Sequence, residues 1–350
     1  MKKYLVAVFL TSLTVAAQNF MTGQAARAVF GQQTFTAQDI ETPCVAPNTI
    51  NCLPPTQFVM GGASGIAFAN NMLFVADANR LGALPALQRV LIYTSVNQSL
   101  NSPAAPVVAP PGPNFVRCPV CLGTALTPMN TLILGTPDYT NYGITASAFR
   151  DPTAIATDGK ILVVADSDNN RILIWKSIPT QNGQPADIVL GQKDFTTVKV
   201  PTVDAQSFRA PQGVWIQGTR LFVADTGNNR VMVWNNIPTS NNVAADYVLG
   251  VPNFTTAPQP DLTKNTVPAA ANNMASPVSV TSDGTRLFVT DLGNNRVLIW
   301  NTIPTTTQSP ADIAIGQTDL NSSIDNNSSY GPVITESSSS RNVMHSLSRP

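Results

Sequence analysis

Outside residues 4–17, the apolar and polar positions of this chain follow no helical period; they form short apolar runs cut by turn residues. Runs such as Ile161-Leu162-Val163-Val164-Ala165 and Val231-Met232-Val233-Trp234 are apolar at every position. A strand with one wet face would alternate apolar and polar. Both faces of these strands must therefore be covered, and the available cover is other sheets of the same kind. The runs are punctuated by Asp158-Gly159 or Asp283-Gly284, then by Gly227-Asn228-Asn229, then by Ile237-Pro238-Thr239. Such punctuation marks hairpins in an antiparallel sheet. It predicts strands over 153–157, 161–165, 171–175 and 187–190, and again over 213–216, 221–224, 230–234 and 246–249.

The pattern repeats. Val223-Ala224-Asp225-Thr226-Gly227-Asn228-Asn229-Arg230-Val231-Met232-Val233-Trp234 recurs at 164–175 and 289–300. An interrupted copy runs from Val75-Ala76-Asp77 to Arg89-Val90-Leu91-Ile92-Tyr93, its tip lengthened by Asn79 to Gln88. A second element, Ile188-Val189-Leu190-Gly191-Gln192, recurs at 313–317, more loosely at 132–136 and 247–251, and near the N-terminus in Val29-Phe30-Gly31-Gln32. Regular recurrence is the mark of a repeat architecture, and four-stranded sheets stacked radially make a β-propeller. The expected fold is all-β: four full antiparallel blades at 61–135 (with an insertion at 94–131), 149–192, 208–251 and 274–317, plus an orphan N-terminal strand at 27–33. Leu347-Ser348-Arg349-Pro350 resembles Phe208-Arg209-Ala210-Pro211, which leads into a first strand. The closing blade is therefore expected to be truncated at the C-terminus, with 321–350 a Ser/Asn-rich loop or frayed tail before a missing repeat. The alternative is a closed four-bladed ring with a tail.

Ala224-Asp225-Thr226-Gly227-Asn228-Asn229-Arg230-Val231, with Pro211 and Gly213 upstream, resembles the NHL repeat. The resemblance spans most of residues 26–320 and implies one repeat per blade in a six-bladed propeller-like ring, similar to secreted bacterial members of unassigned function. Relatives that bind RNA use a basic propeller face. Amidating lyases sharing the repeat resemble metal enzymes with histidine ligands, and lactonase-type propellers hold calcium in the central channel.

Composition narrows these options. Charged residues make up 11% and the net charge is zero, so there is no electrostatic footprint for nucleic acid or an anionic membrane. The single histidine, His345, lies in the Ser-rich tail, where no preorganised Ser–His or Cys–His pair is expected. No catalytic residue is assigned, and the histidine-dependent lyase activity does not carry over. The only glutamates, Glu41 and Glu336, fall in loops. The repeated aspartates Asp77, Asp166, Asp225 and Asp291 are expected to serve the hairpin, each accepting N–H bonds from the turn that follows and pairing with Arg89, Arg171, Arg230 or Arg296. Asn170, Asn229 and Asn295 belong to the same hairpin motif. No cofactor is expected; calcium on unshared acids such as Asp39, Asp151, Asp168, Asp204 or Asp261 is the alternative.

Lys2 and Lys3, the apolar run to Ala17 and Val15-Ala16-Ala17 read as a signal peptide over 1–17, leaving 18–320 as the propeller of a secreted or periplasmic protein. Cys44, Cys52, Cys118 and Cys121 fit that compartment as structural disulfides of unassigned pairing, with a metal or redox use of Cys118-Pro119-Val120-Cys121 as the alternatives.

Trp215 breaks the repeat. It stands where Ala67, Ala156 and Thr281 stand in the other units. First strands line a propeller's channel, so Trp215 is the candidate ligand-binding residue, with local core packing as the alternative. The expected function is a non-catalytic binding or scaffold module for a protein or glycan ligand, as a monomer with no membrane span after signal cleavage. The alternative is a calcium-dependent, lactonase-like hydrolase or lyase.

Overall fold

A computed structural model describes residues 62–78, 88–94, 96, 131–135, 144–197, 203–256 and 268–324. Four antiparallel four-stranded sheets build the molecule in a β-propeller arrangement. Blade 1 comprises β1 (Ala63–Ala69), β2 (Met72–Ala78), β3 (Gln88–Tyr93) and β4 (Thr131–Leu134). Blade 2 comprises β5 (Pro152–Thr157), β6 (Leu162–Asp166), β7 (Arg171–Trp175) and β8 (Ile188–Leu190). Blade 3 comprises β9 (Gly213–Gln217), β10 (Arg220–Asp225), β11 (Arg230–Trp234) and β12 (Tyr247–Leu249). Blade 4 comprises β13 (Pro277–Ser282), β14 (Leu287–Asp291), β15 (Arg296–Trp300) and β16 (Ile313–Ile315). In every blade the strands pair in sequence order.

The all-apolar strands are buried on both faces because each blade is sandwiched by its neighbours. Phe74, Val90 and Ile92 of blade 1 pack against Leu162, Leu173 and Trp175 of blade 2. Val163, Ile172 and Ile174 on the other face of blade 2 meet Val223, Met232 and Trp234 of blade 3. Phe222, Val231 and Val233 then meet Leu287, Leu298 and Trp300 of blade 4. The third-strand tryptophan recurs because its ring fills the junction while its Nε1–H reaches a loop carbonyl: Gln184 at 3.0 Å, Val243 at 3.1 Å and Ser309 at 3.0 Å for Trp175, Trp234 and Trp300. A buried Trp needs such an acceptor.

The first strands are the innermost elements: β1 packs on β5, β5 on β9 and β9 on β13. Their approach is close. A Cβ on Gly65 would lie 2.7 Å from the Thr153 carbonyl oxygen, and one on Gly213 2.9 Å from the Ser279 Cα. The edges of β8 and β12 are closed by the next blade: Val189 N–H donates to Asn241 Oδ1 at 3.0 Å and Asn242 N–H donates back to the Val189 carbonyl at 2.8 Å. Gln308 N–H caps Val248 in the same way at 2.8 Å. Such capping removes the exposed edge that would otherwise recruit foreign strands.

The six-bladed expectation is corrected: the described residues form four blades, one for each Asp…Arg hairpin. The signal segment 1–17, the orphan strand 27–33, Cys44, Cys52, Cys118, Cys121 and His345 lie outside the described residues, as do most of the insertion 94–131 and the stretch 325–350. Among the described residues no helix is long and apolar enough to cross a membrane.

Candidate functional site

The hairpin motif assembles around a buried carboxylate. Asp225 ends β10, and the turn Thr226–Asn228 folds into one 3-10 turn closed by Asn229 in the left-handed conformation, φ 53°. This geometry returns the chain so that Arg230 pairs opposite Asp225. Asp225 Oδ2 accepts from Arg230 Nε at 2.8 Å and from Asn228 Nδ2 at 2.9 Å, while Oδ1 accepts from Arg209 N–H at 2.7 Å. The guanidinium then ties down two distant segments, through Phe254 O at 2.7 Å, Asp204 O at 2.9 Å and Ser207 O at 2.9 Å. Asp166 with Asn169 and Arg171 repeats this set, as does Asp291 with Asn294 and Arg296. In blade 1, Arg89 Nε meets Asp77 Oδ2 at 2.8 Å across the longer loop.

The expected Asp–Arg pairing therefore stands, and one expected detail is replaced. The second carboxylate oxygen is taken by the segment leading into the first strand: the N–H of Arg150, Arg209 or Ala275, each 16 residues upstream of its aspartate. Burial pushes the Asp166, Asp225 and Asp291 carboxyls upward, against the pull of the arginine, the lead-in N–H and the asparagine amide. Asn169, Asn228 and Asn294 are the partners that sequence reasoning left out of the motif; the Asn-Asn doublet was the signal. Its second member has another role. Asn170 Oδ1 accepts from Ala210 N–H at 2.7 Å and Asn229 Oδ1 from Ser276 N–H at 2.8 Å, each in the next blade. Gln88 makes the same clip to Asp151 N–H. The clipped residues are themselves left-handed without being glycine: Asp151 φ 55°, Ala210 φ 45° and Ser276 φ 51°.

The remaining repeated aspartates are also engaged. Asp187, Asp246 and Asp312 accept the N–H of Lys176, Asn235 and Asn301 at 2.8, 2.7 and 2.8 Å. Asp283 binds the N–H groups of Thr285 and Arg286 and the Arg286 Nε, and these donors hold its carboxyl down at about 2. Among the described residues no three His, Cys, Asp or Glu side chains converge on one point. Of the unshared acids, Asp168 faces Arg150 at 3.5 Å on the surface, and the Asp204 carboxylate accepts from Gln206 N–H at 2.8 Å. Asp39 and Asp261 lie outside the described residues.

Trp215 sits at the register position inferred from sequence: opposite Phe222, as Ala67 is opposite Phe74, Ala156 opposite Val163 and Thr281 opposite Phe288. It begins the cross-strand row Trp215–Phe222–Val233–Tyr247 and packs, half-buried, at the junction between blades 3 and 4. Its Nε1–H points to Gln217 Oε1 at 3.4 Å. The Gln217 amide in turn lies 3.6 Å from where a Cβ on Gly284 would stand, in the turn of blade 4 that carries Asp283. One aromatic face, one amide and one charged turn thus meet near the inner strands.

No family model matches the chain, and no curated protein matches it. Several solved structures are similar to it in part, at low identity. A 6-phosphogluconolactonase-like protein of Bacteroides uniformis is 11% identical over 73% of this chain and 57% of its own, with a TM-score of 0.39. A streptogramin B lyase is 13% identical over 68% of this chain and 51% of its own, with a TM-score of 0.34. The glutaminyl cyclase of Myxococcus xanthus is 10% identical over 68% and 65%, with a TM-score of 0.34. The chain spans between half and two thirds of these proteins.

Proposed function

We propose that this chain is an exported, non-catalytic propeller module that holds a protein or glycan ligand at the inner end of the junction between blades 3 and 4. Trp215 is the stacking platform and Gln217 the adjacent hydrogen-bonding amide. The observation that carries this reading is a contrast between two classes of polar or aromatic group. Those repeated in every blade are consumed within the scaffold, as Asp225 is by Arg230, Asn228 and the Arg209 N–H. The group that departs from the repeat, Trp215, is only partly buried. A rigid aromatic face beside an amide suits the apolar face and hydroxyls of a sugar, or a peptide side chain. The NHL-like reading of the repeat and the export of the chain belong to the same proposal.

The test is a titration of the purified protein with soluble oligosaccharides and peptides, followed by tryptophan fluorescence and calorimetry. Trp215→Ala is expected to abolish binding while leaving the melting temperature within a few degrees. Binding unchanged in Trp215→Ala would sink the assignment of the site. Calcium is expected to leave the melting temperature unmoved; stoichiometric calcium that raises it, together with lactone hydrolysis, would favour the hydrolase reading.

A further inference from the structure

Trp215 is not the only departure from the repeat in the β9–β10 hairpin. The turn after the first strand reads Asp283-Gly284-Thr285-Arg286 in blade 4 and Gln217-Gly218-Thr219-Arg220 in blade 3. The register makes these turns equivalent, since Leu221 pairs opposite Ile216 as Leu287 pairs opposite Ser282. Blade 2 has Asp158 at the same place. The aspartate closes its turn: Asp158 Oδ1 accepts the N–H groups of Lys160 and Ile161 at 2.8 and 2.9 Å, and Asp283 Oδ1 those of Thr285 and Arg286 at 3.0 and 2.7 Å. In blade 4 its other oxygen also holds Arg286 Nε at 2.7 Å, and that guanidinium lies 5.5 Å over the Phe288 ring. Blade 3 keeps the arginine and lacks the carboxylate. Gln217 stands in the aspartate's place, with its Oε1 turned to Trp215 Nε1–H at 3.4 Å. Among the described residues Arg220 forms no ion pair.

Arg220 and Gln217 pair opposite one another, as do Phe222 and Trp215, and alternate strand residues point the same way, so all four share one face of blade 3. The diagonal from Arg220 to Trp215 is about 7–8 Å, within reach of both long side chains. The arginine's charge acts on that face: burial pushes the Tyr247 phenol up, Arg220 pulls it down and Asp246 pushes it up. The Asp246 carboxylate is occupied by the Asn235 N–H at 2.7 Å. Arg220 is itself half-buried, next to the exposed Gly218 and Thr219. A guanidinium partly withdrawn from water and without a carboxylate is where an incoming anion gains most. We propose that the ligand of the Trp215 site is an acidic sugar, a hexuronic acid unit whose carboxylate is received by Arg220. The apolar face of its ring lies on Trp215, and a hydroxyl meets the Gln217 amide. One pyranose ring carries an apolar face and a carboxylate on the same rigid frame, whereas a peptide would need two side chains to supply them. This inference rests on the reading of Trp215 as the binding platform and adds the charge of what binds there.

The experiment titrates the full chain with a galacturonate trimer, the same trimer as its methyl ester, and a glutamate trimer, followed by tryptophan fluorescence and calorimetry. The galacturonate trimer is expected to bind about tenfold or more tighter than its ester, with an affinity that falls as salt is raised. Arg220→Gln is expected to remove that difference, and Arg220→Lys to keep part of it, because lysine retains the charge without the planar fork. Gln217→Asp is the sharper variant. It returns the carboxylate that blade 4 has, so it is expected to pair with Arg220 and weaken galacturonate binding by about tenfold with unchanged circular dichroism. The outcomes separate this inference from the reading beneath it. Suppose Trp215→Ala abolishes binding, yet the ester binds as tightly as the acid or Arg220→Gln binds galacturonate as the wild type does. The acidic ligand is then overturned and the Trp215 site stands. A glutamate trimer that binds as tightly as the galacturonate trimer overturns the sugar. Binding that survives Trp215→Ala, or a wild-type chain that takes up none of the probes, overturns both.

Discussion

The carboxylate at the end of each second strand works as a hub because it is wholly buried and still fully partnered. Asp225 and Arg230 are both 0% exposed, so neither can be removed without stranding the other. Breaking such a pair costs about 3–5 kcal/mol, most of it from the uncompensated charge left behind. Asp225→Ala is expected to lose stability of that order in urea unfolding, and the double variant Asp225→Ala with Arg230→Met to recover part of it. A result in which the single variant is neutral would contradict the hub. Tyr93, standing where the other blades have Trp, offers a second measurement. Burial pushes its phenol from the ordinary 10 up to about 12, with Arg89 pulling down and Asp77 pushing up. The folded state prefers the neutral ring, so its contribution is complete below pH 10 and is lost as the pH rises from about 10 to about 12. Ultraviolet titration should show two tyrosines ionising late, Tyr93 and Tyr247, whose phenol burial also pushes up, the Tyr93 phenolate signal appearing together with loss of structure.

At the scale of the strand and the hairpin, the fold was largely readable in the sequence. The all-apolar strands, the Asp-Gly turns and the Asn-Asn-Arg return located all four sheets, and β7 and β11 fall on their predicted bounds. Local propensity and turn chemistry carry that information. What joins hairpins was not readable. The Asp225 carboxylate reaches a residue 16 positions back, and Asn170 reaches Ala210, 40 positions on. Neither partner is marked by residue type, because the donor is a backbone N–H. The candidate site was legible only as an irregularity: the sequence singled out Trp215 but not its neighbour Gln217. Inner-strand crowding was likewise hidden, as the glycine positions alternate with Ala154 and Ser279 in the other blades. Gly213→Ala is expected to cost about 1–3 kcal/mol, because the added methyl meets β13 backbone that cannot retreat without moving a blade. Thermal unfolding would reveal it; an unchanged midpoint would mean that blades 3 and 4 can slide apart at no cost.

For the molecule as a whole, stability should be distributed as in other chains whose units touch only their neighbours. Blades 2 and 3 are enclosed on both faces, whereas blades 1 and 4 expose Ile66, Phe68, Ile313 and Ile315. Hydrogen exchange under native conditions is expected to be slowest in β6, β7, β10 and β11 and fastest in β16; equal protection in all blades would contradict that order. The asparagine clips add a direction to this distribution. Asp151, Ala210 and Ser276 hold left-handed backbones that cost a non-glycine residue about 1–2 kcal/mol. Each is held by a side chain belonging to the blade before it, never the blade after. The first turn of a blade is thus templated by a neighbour nearer the N-terminus. A ribosome delivers the chain in that same order. Every finished blade leaves the tunnel already presenting the acceptor its successor requires, so the repeat is built to zip up behind its own synthesis.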